Sequence, residues 1–270
     1  MKKEKGSTQQ SLDRALELIE TLAKTGASMN VAEISKKLDI TRTTAYAMIQ
    51  SLLQRNYIEK DLETGKYSIG YKLYEMAMAY RYQFPFLYVA EKHVNAMAEK
   101  WKIKINICVL KSPGVAVMIL SKDISLLPKM ILGYVLPGYA SASGKLLMAY
   151  APHDVVEEWL EKTDFVTFTT NTIVDKEKLF KELDQIRSRG VSMDREELMI
   201  QRFCIAVPIR DISGQVIASV SCSGFKETME QNIEALTEDI ILLGKSISSE
   251  LGYNPIMFRQ DDRAAGNTGR

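Results

Sequence analysis

The side chains that could support catalysis are concentrated in the second half of the chain, where Asp194, Cys204 and Ser221 lie close together in sequence. A serine or cysteine nucleophile needs a base within hydrogen-bond reach, and that base is most often a histidine. The two histidines are His93 and His153, and both fall outside the segments that carry these residues. A hydrolase is therefore disfavoured, and we expect the protein not to be an enzyme.

Metals and nucleotide cofactors have no recognisable binding motif. The three cysteines, Cys108, Cys204 and Cys222, lack C-x-x-C spacing, and neither histidine belongs to an H-E-x-x-H pattern. The stretch SASGK at 141–145 lacks the leading glycine of a phosphate-binding loop. We expect no cofactor, no metal and no disulfide framework. Taken alone, Cys204 is also consistent with a small buried apolar residue.

The same region is better suited to binding a small polar molecule. Ser221 and Ser223 are two apart on a predicted strand, so their hydroxyls point to one face. Ala142 and Ser143 open a predicted helix, where backbone N–H groups can bind a carboxylate. Asp194 follows the end of another helix and could accept a hydrogen bond from a ligand. Two alternatives stay open, namely cross-strand hydrogen bonds for the serines and an ordinary turn role for the aspartate.

The clearest local structure lies in the first quarter of the chain, which predicts a winged helix-turn-helix. A capping-box pattern begins one helix at Asn30, Asp39 occupies the following turn, and Thr41 can cap a second helix. Two short alternating segments then end at Gly70 and predict a hairpin, which would be the wing. The predicted strands of this wing are residues 57–60 and 66–69.

The second of these helices has the properties of a recognition helix. Its apolar stripe is Ala45, Met48, Ile49, Leu52 and Leu53, and its opposite face carries side chains that can form hydrogen bonds in a major groove. The start of the first helix could also meet a phosphate, although a cap and a solvated arginine explain it equally well. A small α+β packing unit without DNA is the alternative for the whole stretch. The predicted DNA contacts are Ser11, Arg14, Thr41, Arg42, Thr43, Thr44, Tyr46, Gln50 and Lys66.

Length and composition are those of an ordinary soluble protein with two domains. The chain has 270 residues, of which 46% are hydrophobic and 26% charged, and its net charge is +1. Residues 1–72 hold 12 Lys and Arg against 9 Asp and Glu, whereas the rest holds 23 against 25. A weakly basic first domain is compatible with DNA binding. There is no apolar signal sequence and no span long enough for a membrane, so we expect a cytoplasmic protein.

The rest of the chain mixes helical and strand patterns. Helices are predicted at 11–23, 71–82, 87–101, 176–189 and 230–251, a further helix from 141, and strands at 105–110, 115–120, 203–210 and 215–223, with a break at 136–138. This pattern predicts an α+β domain with an antiparallel sheet flanked by helices. We expect a DNA-binding domain at 1–70, a helical linker and dimerisation region at 71–101, an effector-binding domain at 102–252 and a flexible tail at 253–270. Aromatic residues crowd the linker, which suggests contact with a partner subunit as well as packing within the chain.

Six segments in order carry a family resemblance. They are QSLDRALELIE (10–20), DITRTTAYAMIQSL (39–52), DLETGKYSIG (61–70), LPGYASASGKLLMAY (136–150), RSRGVSMDREEL (187–198) and CIAVPIRDISGQVIASVSCSG (204–224). Together they resemble the IclR family of bacterial transcription regulators over residues 10–251. The resemblance implies a winged helix-turn-helix, a helical linker and a GAF/PAS-like effector domain. It also implies dimers or tetramers that bind double-stranded operator DNA and respond to a small molecule, often a carboxylic or aromatic acid.

The resemblance also implies which residues line the effector site, and this chain departs from the family pattern at several places. The recognition helix has Tyr46-Ala47 where a His-Arg or Tyr-Arg pair is common, and Asp39 replaces the usual turn glycine. Arg195 stands where a second acidic residue is common, and Ala142 fills a place that is often Gly or Thr. The implied effector residues are Leu136, Ala142, Ser143, Asp194, Cys204, Ser221 and Ser223.

Two functions are consistent with these observations. In the first, the protein is a ligand-responsive transcriptional regulator, acting as a repressor or an activator, in which the effector changes the spacing of two DNA-binding heads. In the second, it is a winged-helix DNA-binding protein whose C-terminal domain serves only oligomerisation. A hollow, polar interior at the two serines would favour the first, and an interior filled by side chains the second.

Overall fold

The computed structural model describes residues 7–111, 114–121 and 133–258. The chain divides into two compact units, Met1–Pro85 and Phe86–Arg270, each with its own core. The predicted linker at 71–101 is therefore shared between the two units, with the division at Pro85. Among the described residues, no helix has the length and apolar character needed to cross a bilayer.

The N-terminal unit is built from four helices and a hairpin. Its elements are α1 (Ser7–Thr25), α2 (Val31–Lys37), α3 (Arg42–Gln54), β1 (Ile58–Lys60), β2 (Tyr67–Ile69) and α4 (Tyr71–Arg81). The first three helices and both strands contribute to one apolar core, in which Leu18, Ile34, Ala45 and Ile49 are almost completely buried. The predicted winged helix-turn-helix is confirmed.

Local hydrogen bonds explain where the two central helices begin. The side chain of Asn30 accepts from the backbone N–H groups of Ala32 and Glu33, while the Glu33 carboxylate accepts from the Asn30 N–H at 2.7 Å. This is the predicted capping box. Asp39 has φ +50°, as expected of a short polar residue in the turn, and Thr41 caps α3 by accepting from the N–H of Thr44.

The hairpin has the register of a short wing. Strands β1 and β2 are antiparallel and pair Ile58 with Ile69 and Lys60 with Tyr67. The connecting turn is held by Asp61, whose Oδ1 accepts from the backbone N–H groups of Glu63 and Thr64. These N–H bonds lower the pKa of the Asp61 carboxyl.

Helix α4 differs from its prediction because it buries no residue within the described chain. Leu73 and Tyr80, on the predicted apolar stripe, are half-buried, whereas Met76 and Ala77 are exposed. Tyr71, Tyr74 and other large apolar side chains of this helix also reach solvent. An exposed surface of this kind is unusual for a helix that packs only on its own chain.

The C-terminal unit is a six-stranded antiparallel sheet covered by helices on both faces. Its elements are α5 (Phe86–Trp101), β3 (Lys104–Lys111), β4 (Gly114–Leu120), β5 (Val135–Pro137), α6 (Ala142–Tyr150), α7 (His153–Glu161), α8 (Lys176–Arg189), β6 (Ser192–Arg195), β7 (Arg202–Arg210), β8 (Val216–Phe225), α9 (Lys226–Gln231), α10 (Ile233–Glu250) and α11 (Pro255–Phe258). The strand order is β5-β4-β3-β8-β7-β6, and all neighbours are antiparallel. The predicted α+β class is confirmed.

The two faces of this sheet have different chemistry. Helices α5 and α10 cover an apolar face, where Gly244 of α10 comes so close to Val207 that a Cβ at this position would clash. Helix α6, supported by α8, covers the opposite face of β3, β8, β7 and β6. The second face carries the polar residues of the site described below.

Several element predictions need correction. The predicted break at 136–138 overlaps the edge strand β5, where a proline is tolerated because it need not donate to a neighbour. The predicted helix 230–251 is two helices separated at Asn232, and α7 was missed. Part of the predicted flexible tail forms α11, while residues 259–270 and the centre of the β3–β4 turn lie outside the described residues.

Candidate functional site

The exposed face of α3 carries the residues predicted to read DNA. Because Ala45, Ile49 and Leu52 turn into the core, the side chains between them must point outward. Those outward residues are Arg42, Thr43, Tyr46 and Gln50, all of which are exposed. Tyr46 keeps 54% of its surface accessible, which is high for a large ring and leaves it free to contact a partner.

The remaining predicted DNA contacts differ in their exposure and in the hydrogen bonds that they already form. Thr41 and Thr44 are exposed, but their hydroxyls are 2.9 Å apart and Thr41 serves as the α3 cap, so part of their hydrogen-bonding capacity is already used. Ser11 lies exposed on α1, and Arg14, one turn later, is half-buried. Lys66 directly precedes β2 of the wing and is half-buried.

In the C-terminal unit, strand register aligns polar residues in rows across the sheet face under α6. In one row Asp194 opposes Cys204, and Cys204 opposes Ser223. In the next row Asn106 opposes Ser221, which opposes Ala206. Since successive residues of a strand alternate between faces, both rows lie on the same side of the sheet. The sheet therefore buries a group of hydroxyl, amide, thiol and carboxyl side chains together.

A cavity of about 490 Å³ lies between this face and the start of α6. All seven residues predicted to bind an effector line it, although they come from four strands and one helix. Its remaining lining residues, which the sequence analysis did not single out for this role, are Asn106, Tyr134, Pro137, Ser141, Phe168, Leu198, Met199 and Arg202. The size is within the range of pockets that hold small organic molecules.

The start of α6 offers backbone donors to this cavity. Ser141 is the N-cap; its hydroxyl accepts from the N–H of Gly144 at 3.2 Å and donates to the carbonyl of Pro137 at 2.9 Å. The first turn contains no acidic residue. Ala142 and Ser143 therefore present their N–H groups at a helix N-terminus without an anionic side chain to occupy it.

Asp194 lies on the short edge strand β6, so the alternative of an ordinary turn role does not apply to it. Its side chain is almost completely buried, and its Oδ1 accepts from the backbone N–H of Glu197 at 2.7 Å. Burial raises the pKa of the Asp194 carboxyl to about 7, since the charged form loses its hydration. Asp194 can therefore act as a hydrogen-bond donor or as an acceptor near neutral pH.

The two thiols on this face are poor nucleophiles. Cys204 donates to the hydroxyl of Ser223 at 3.3 Å, and burial raises the pKa of its thiol far above the usual range. Burial also raises the pKa of Cys108 to about 12. Because the thiolate is the reactive form, neither cysteine is activated. His93 binds Glu250 and His153 stacks on Phe180, so neither histidine lines the cavity.

A buried ion pair joins α6 to the segment after β6. Lys145 is 1% exposed, and its Nζ lies 2.5 Å from Oε1 of Glu197. Burial raises the pKa of the Glu197 carboxyl, against the opposing effect of the lysine. The hydroxyl of Thr172 donates to the Glu197 carbonyl at 2.6 Å. These bonds fix the backbone that presents Leu198 and Met199 to the cavity.

Asn106 and Arg202 are the cavity residues that sequence reasoning missed and that most affect its chemistry. Asn106 Oδ1 and Arg202 Nη1 are buried and have no hydrogen-bond partner among the described residues. The sequence did hold one signal for Asn106, because a single amide interrupts an otherwise apolar strand. Arg202 gave no such signal, since a charged residue at a strand end usually points to solvent.

The arrangement is suited to binding. Its side chains can form hydrogen bonds and bind a charged group, but none of the described residues that line it is an activated nucleophile with a paired base. Among the described residues, no cluster of His, Cys, Asp and Glu is arranged to hold a metal ion.

Each of the two units matches the model of a known protein family. Residues 79–249 match the model of the bacterial transcriptional regulator IclR C-terminal domain, and residues 11–62 match the IclR helix-turn-helix domain. The first match alone covers more than half of the chain. Proteins of this family are transcriptional regulators rather than enzymes, which agrees with the expectation from the sequence.

Individual relatives match over almost the whole chain. The HTH-type transcriptional repressor AllR of Salmonella typhimurium (strain LT2) is 29% identical, and that of Escherichia coli (strain K12) is 28% identical; the matches cover 91% and 90% of this chain and the same shares of those proteins. The crystal structure of Thermotoga maritima IclR aligns with a TM-score of 0.78 and 27% identity, covering 91% of this chain and 100% of that one. An IclR homologue from Microbacterium hydrocarbonoxydans, crystallised with 4-hydroxybenzoate, shares the fold with a TM-score of 0.76 at 24% identity, covering 89% and 98%. The chain belongs to the IclR family of bacterial transcriptional regulators.

Proposed function

We propose that this protein is a ligand-responsive repressor that binds operator DNA through its winged helix and senses a small organic acid in the cavity under α6. The observation that carries the proposal is the cavity itself. It is hollow and polar at Ser221 and Ser223, which is what distinguishes a sensing domain from one that serves only assembly. The names of the AllR relatives support repression rather than activation.

An acid is the ligand class that best fits the donors in the cavity. The N-terminal N–H groups of α6 favour a negatively charged group, and the two serine hydroxyls can donate to the same ligand. Aromatic and apolar side chains, Tyr134, Phe168 and Met199, supply a surface for the non-polar part of the molecule. The complex of the Microbacterium homologue with 4-hydroxybenzoate is consistent with this class.

For DNA, we propose that Arg42, Thr43, Tyr46 and Gln50 contact base edges in the major groove. Thr41, Thr44, Ser11, Arg14 and Lys66 would contact phosphates. Two copies of the winged helix would read a pseudo-palindromic operator, as dimeric helix-turn-helix proteins do. The exposed apolar side chains of α4 support assembly into a homodimer, from which a tetramer could be built.

The effector would act by binding two arrangements of the dimer with different affinity. A ligand shifts an equilibrium only by its differential affinity for the two states, and typical coupling free energies are about 1–3 kcal/mol. By reciprocity, operator DNA would change the affinity for the effector by the same factor.

Thermal unfolding with a panel of small carboxylates and aromatic acids, 4-hydroxybenzoate included, tests this proposal. We expect a selective rise in the melting temperature that grows with ligand concentration, because the ligand binds only the folded state. The double variant Ser221→Ala with Ser223→Ala should lose most of this rise and keep DNA binding. Its control is Ser213→Ala with Ser249→Ala, which removes two exposed hydroxyls from the same unit. A flat panel would instead favour a domain that only assembles the oligomer.

A further inference from the structure

Arg202 is a buried cation that forms no ion pair with any residue that the structure describes. Only 8% of its surface is exposed, it lines the cavity, and its Nη1 has no hydrogen-bond partner among the described residues. A guanidinium cannot lose its proton to escape this environment, so an unpaired one is costly to bury. Asp194 lines the same cavity but forms no ion pair with Arg202; its Oδ1 is used by the Glu197 N–H. The Nη1 donor and the positive charge of Arg202 are therefore available to an anion from outside the chain.

A second position for an anion lies at the start of α6. This helix has nine residues, its cap uses the Gly144 N–H, and Ala142 and Ser143 line the cavity in its first turn, which contains no acidic residue. The buried Oδ1 of Asn106, an acceptor without a partner among the described residues, lines the same cavity and independently indicates that a ligand occupies it, one that brings a hydrogen-bond donor to this amide.

The two positions are at different ends of the cavity. Arg202 is the first residue of β7 and opposes Phe225. Ser143 instead lies beside Cys108, which opposes Ser219, six residues before Phe225 on β8. A single carboxylate cannot occupy both positions, whereas a molecule with an acid group at each end can.

We propose that the effector is a dicarboxylate, with one carboxylate on the N-terminus of α6 and the other on the guanidinium of Arg202. This inference rests on the proposed function and specifies its ligand. Arg202 is the residue that distinguishes diacids from monoacids, because a planar guanidinium can bind a carboxylate through two parallel hydrogen bonds. The protonated form of Asp194, which burial favours, reduces the repulsion that a second negative charge would meet.

The test compares matched acids on the full-length protein. The probes are unbranched dicarboxylates of increasing length, their monomethyl esters, which keep the length but carry one charge, and monocarboxylates of the same length. Binding is measured by calorimetry and by the rise in melting temperature. We expect one diacid length to bind at least about tenfold more tightly than its ester, which corresponds to about 1.4 kcal/mol.

Two variants of Arg202 and one control variant test whether Arg202 causes the preference for diacids. Arg202→Gln should reduce the diacid preference to about that of the ester, and Arg202→Lys should retain part of it. The control Arg195→Gln removes the same charge from an exposed residue on the neighbouring strand and should behave as wild type. Without ligand, Arg202→Gln should melt at or slightly above the wild-type temperature, because it removes an unpaired buried charge.

Two outcomes overturn the inference, and they are distinguishable. If esters or monoacids bind as tightly as diacids, or if Arg202→Gln keeps the preference, the dicarboxylate assignment is wrong while acid sensing stands. If neither diacids nor monoacids bind the wild-type protein, the assignment fails together with the proposed acid-sensing function.

Discussion

In the N-terminal unit, the polar side chains predicted to contact DNA stand on the outside of α3, whereas in the C-terminal unit those predicted to contact the effector are enclosed between α6 and the sheet. The exposed set is hydrated before binding, and removing one member leaves the core below it intact. The enclosed set is withdrawn from bulk solvent on folding, so each member needs a partner within the protein, in a ligand or in water held inside the cavity. Substitutions should therefore separate folding from recognition on α3 and couple them around the cavity.

The largest effect is expected for the buried ion pair between Lys145 and Glu197. Lys145→Ala leaves the Glu197 carboxylate without its cation in a buried site, and breaking such a pair typically costs about 3–5 kcal/mol. The free energy of unfolding from urea titration of the C-terminal unit measures this loss.

Its control is Lys162→Ala. That lysine lies 2.5 Å from Glu158, the same distance as in the buried pair, but both partners are largely exposed. We expect no measurable change in stability, because solvent screens exposed pairs. Equal losses in the two variants would show that burial is not what distinguishes the two pairs.

The next effect concerns α3. Arg42→Ala should weaken binding to a specific operator by about 1–3 kcal/mol, as loss of a base contact does, and leave the melting temperature unchanged because the side chain is exposed. Fluorescence anisotropy with specific and scrambled DNA measures both affinities. Lys24→Ala, at the end of α1, is a control of equal charge. If specific and scrambled DNA lose affinity equally, Arg42 contacts phosphate rather than bases.

The last effect is a pH dependence, which is spread over several pH units and is therefore small at any one pH step. The pKa of Asp194 is about 7 in the folded protein and 3.8 in the unfolded chain, so the folded state binds more protons between these values and stability falls as pH rises through them. The slope from this one group is at most about 1.4 kcal/mol per pH unit. Asp194→Asn should remove that part of the slope, measured by urea denaturation from pH 4.5 to 6.5.

Glu197, whose pKa is also raised by burial, gives a slope of the same sign that should remain in the Asp194→Asn variant. Asp184→Asn, which changes an exposed aspartate of α8, should keep the full wild-type slope. A variant at Asp194 with an unaltered slope would show that this carboxyl stays ionised in the folded protein.

The same contrast explains which predictions from sequence succeeded. The winged helix is specified by local signals, since the Asn30 cap, the Asp39 turn and the Thr41 cap each act within a few residues. The helix 176–189 was predicted for the same reason, because Asp175 caps it and Gly190, with φ +72°, ends it.

The cavity depends on strand register over long distances, which local patterns do not contain. Asn106 and Ser221 are neighbours only because β3 pairs with β8, and strand β6, which carries Asp194, was not predicted because it has four residues and lies at the sheet edge. The seven lining residues were identified through the family resemblance. Arg202, outside that set, became visible only from its burial.

The contact between Gly144 and Gly138 has a mechanical consequence. A Cβ on Gly144 would lie 2.3 Å from the Gly138 carbonyl oxygen, so the first turn of α6 rests directly on the backbone that leaves β5. Nothing compressible separates the two segments, and the Ser141 hydroxyl ties them again at Pro137. A displacement of the first turn of α6 would therefore be passed directly to the segment that leaves β5, because no side chain lies between them to absorb it.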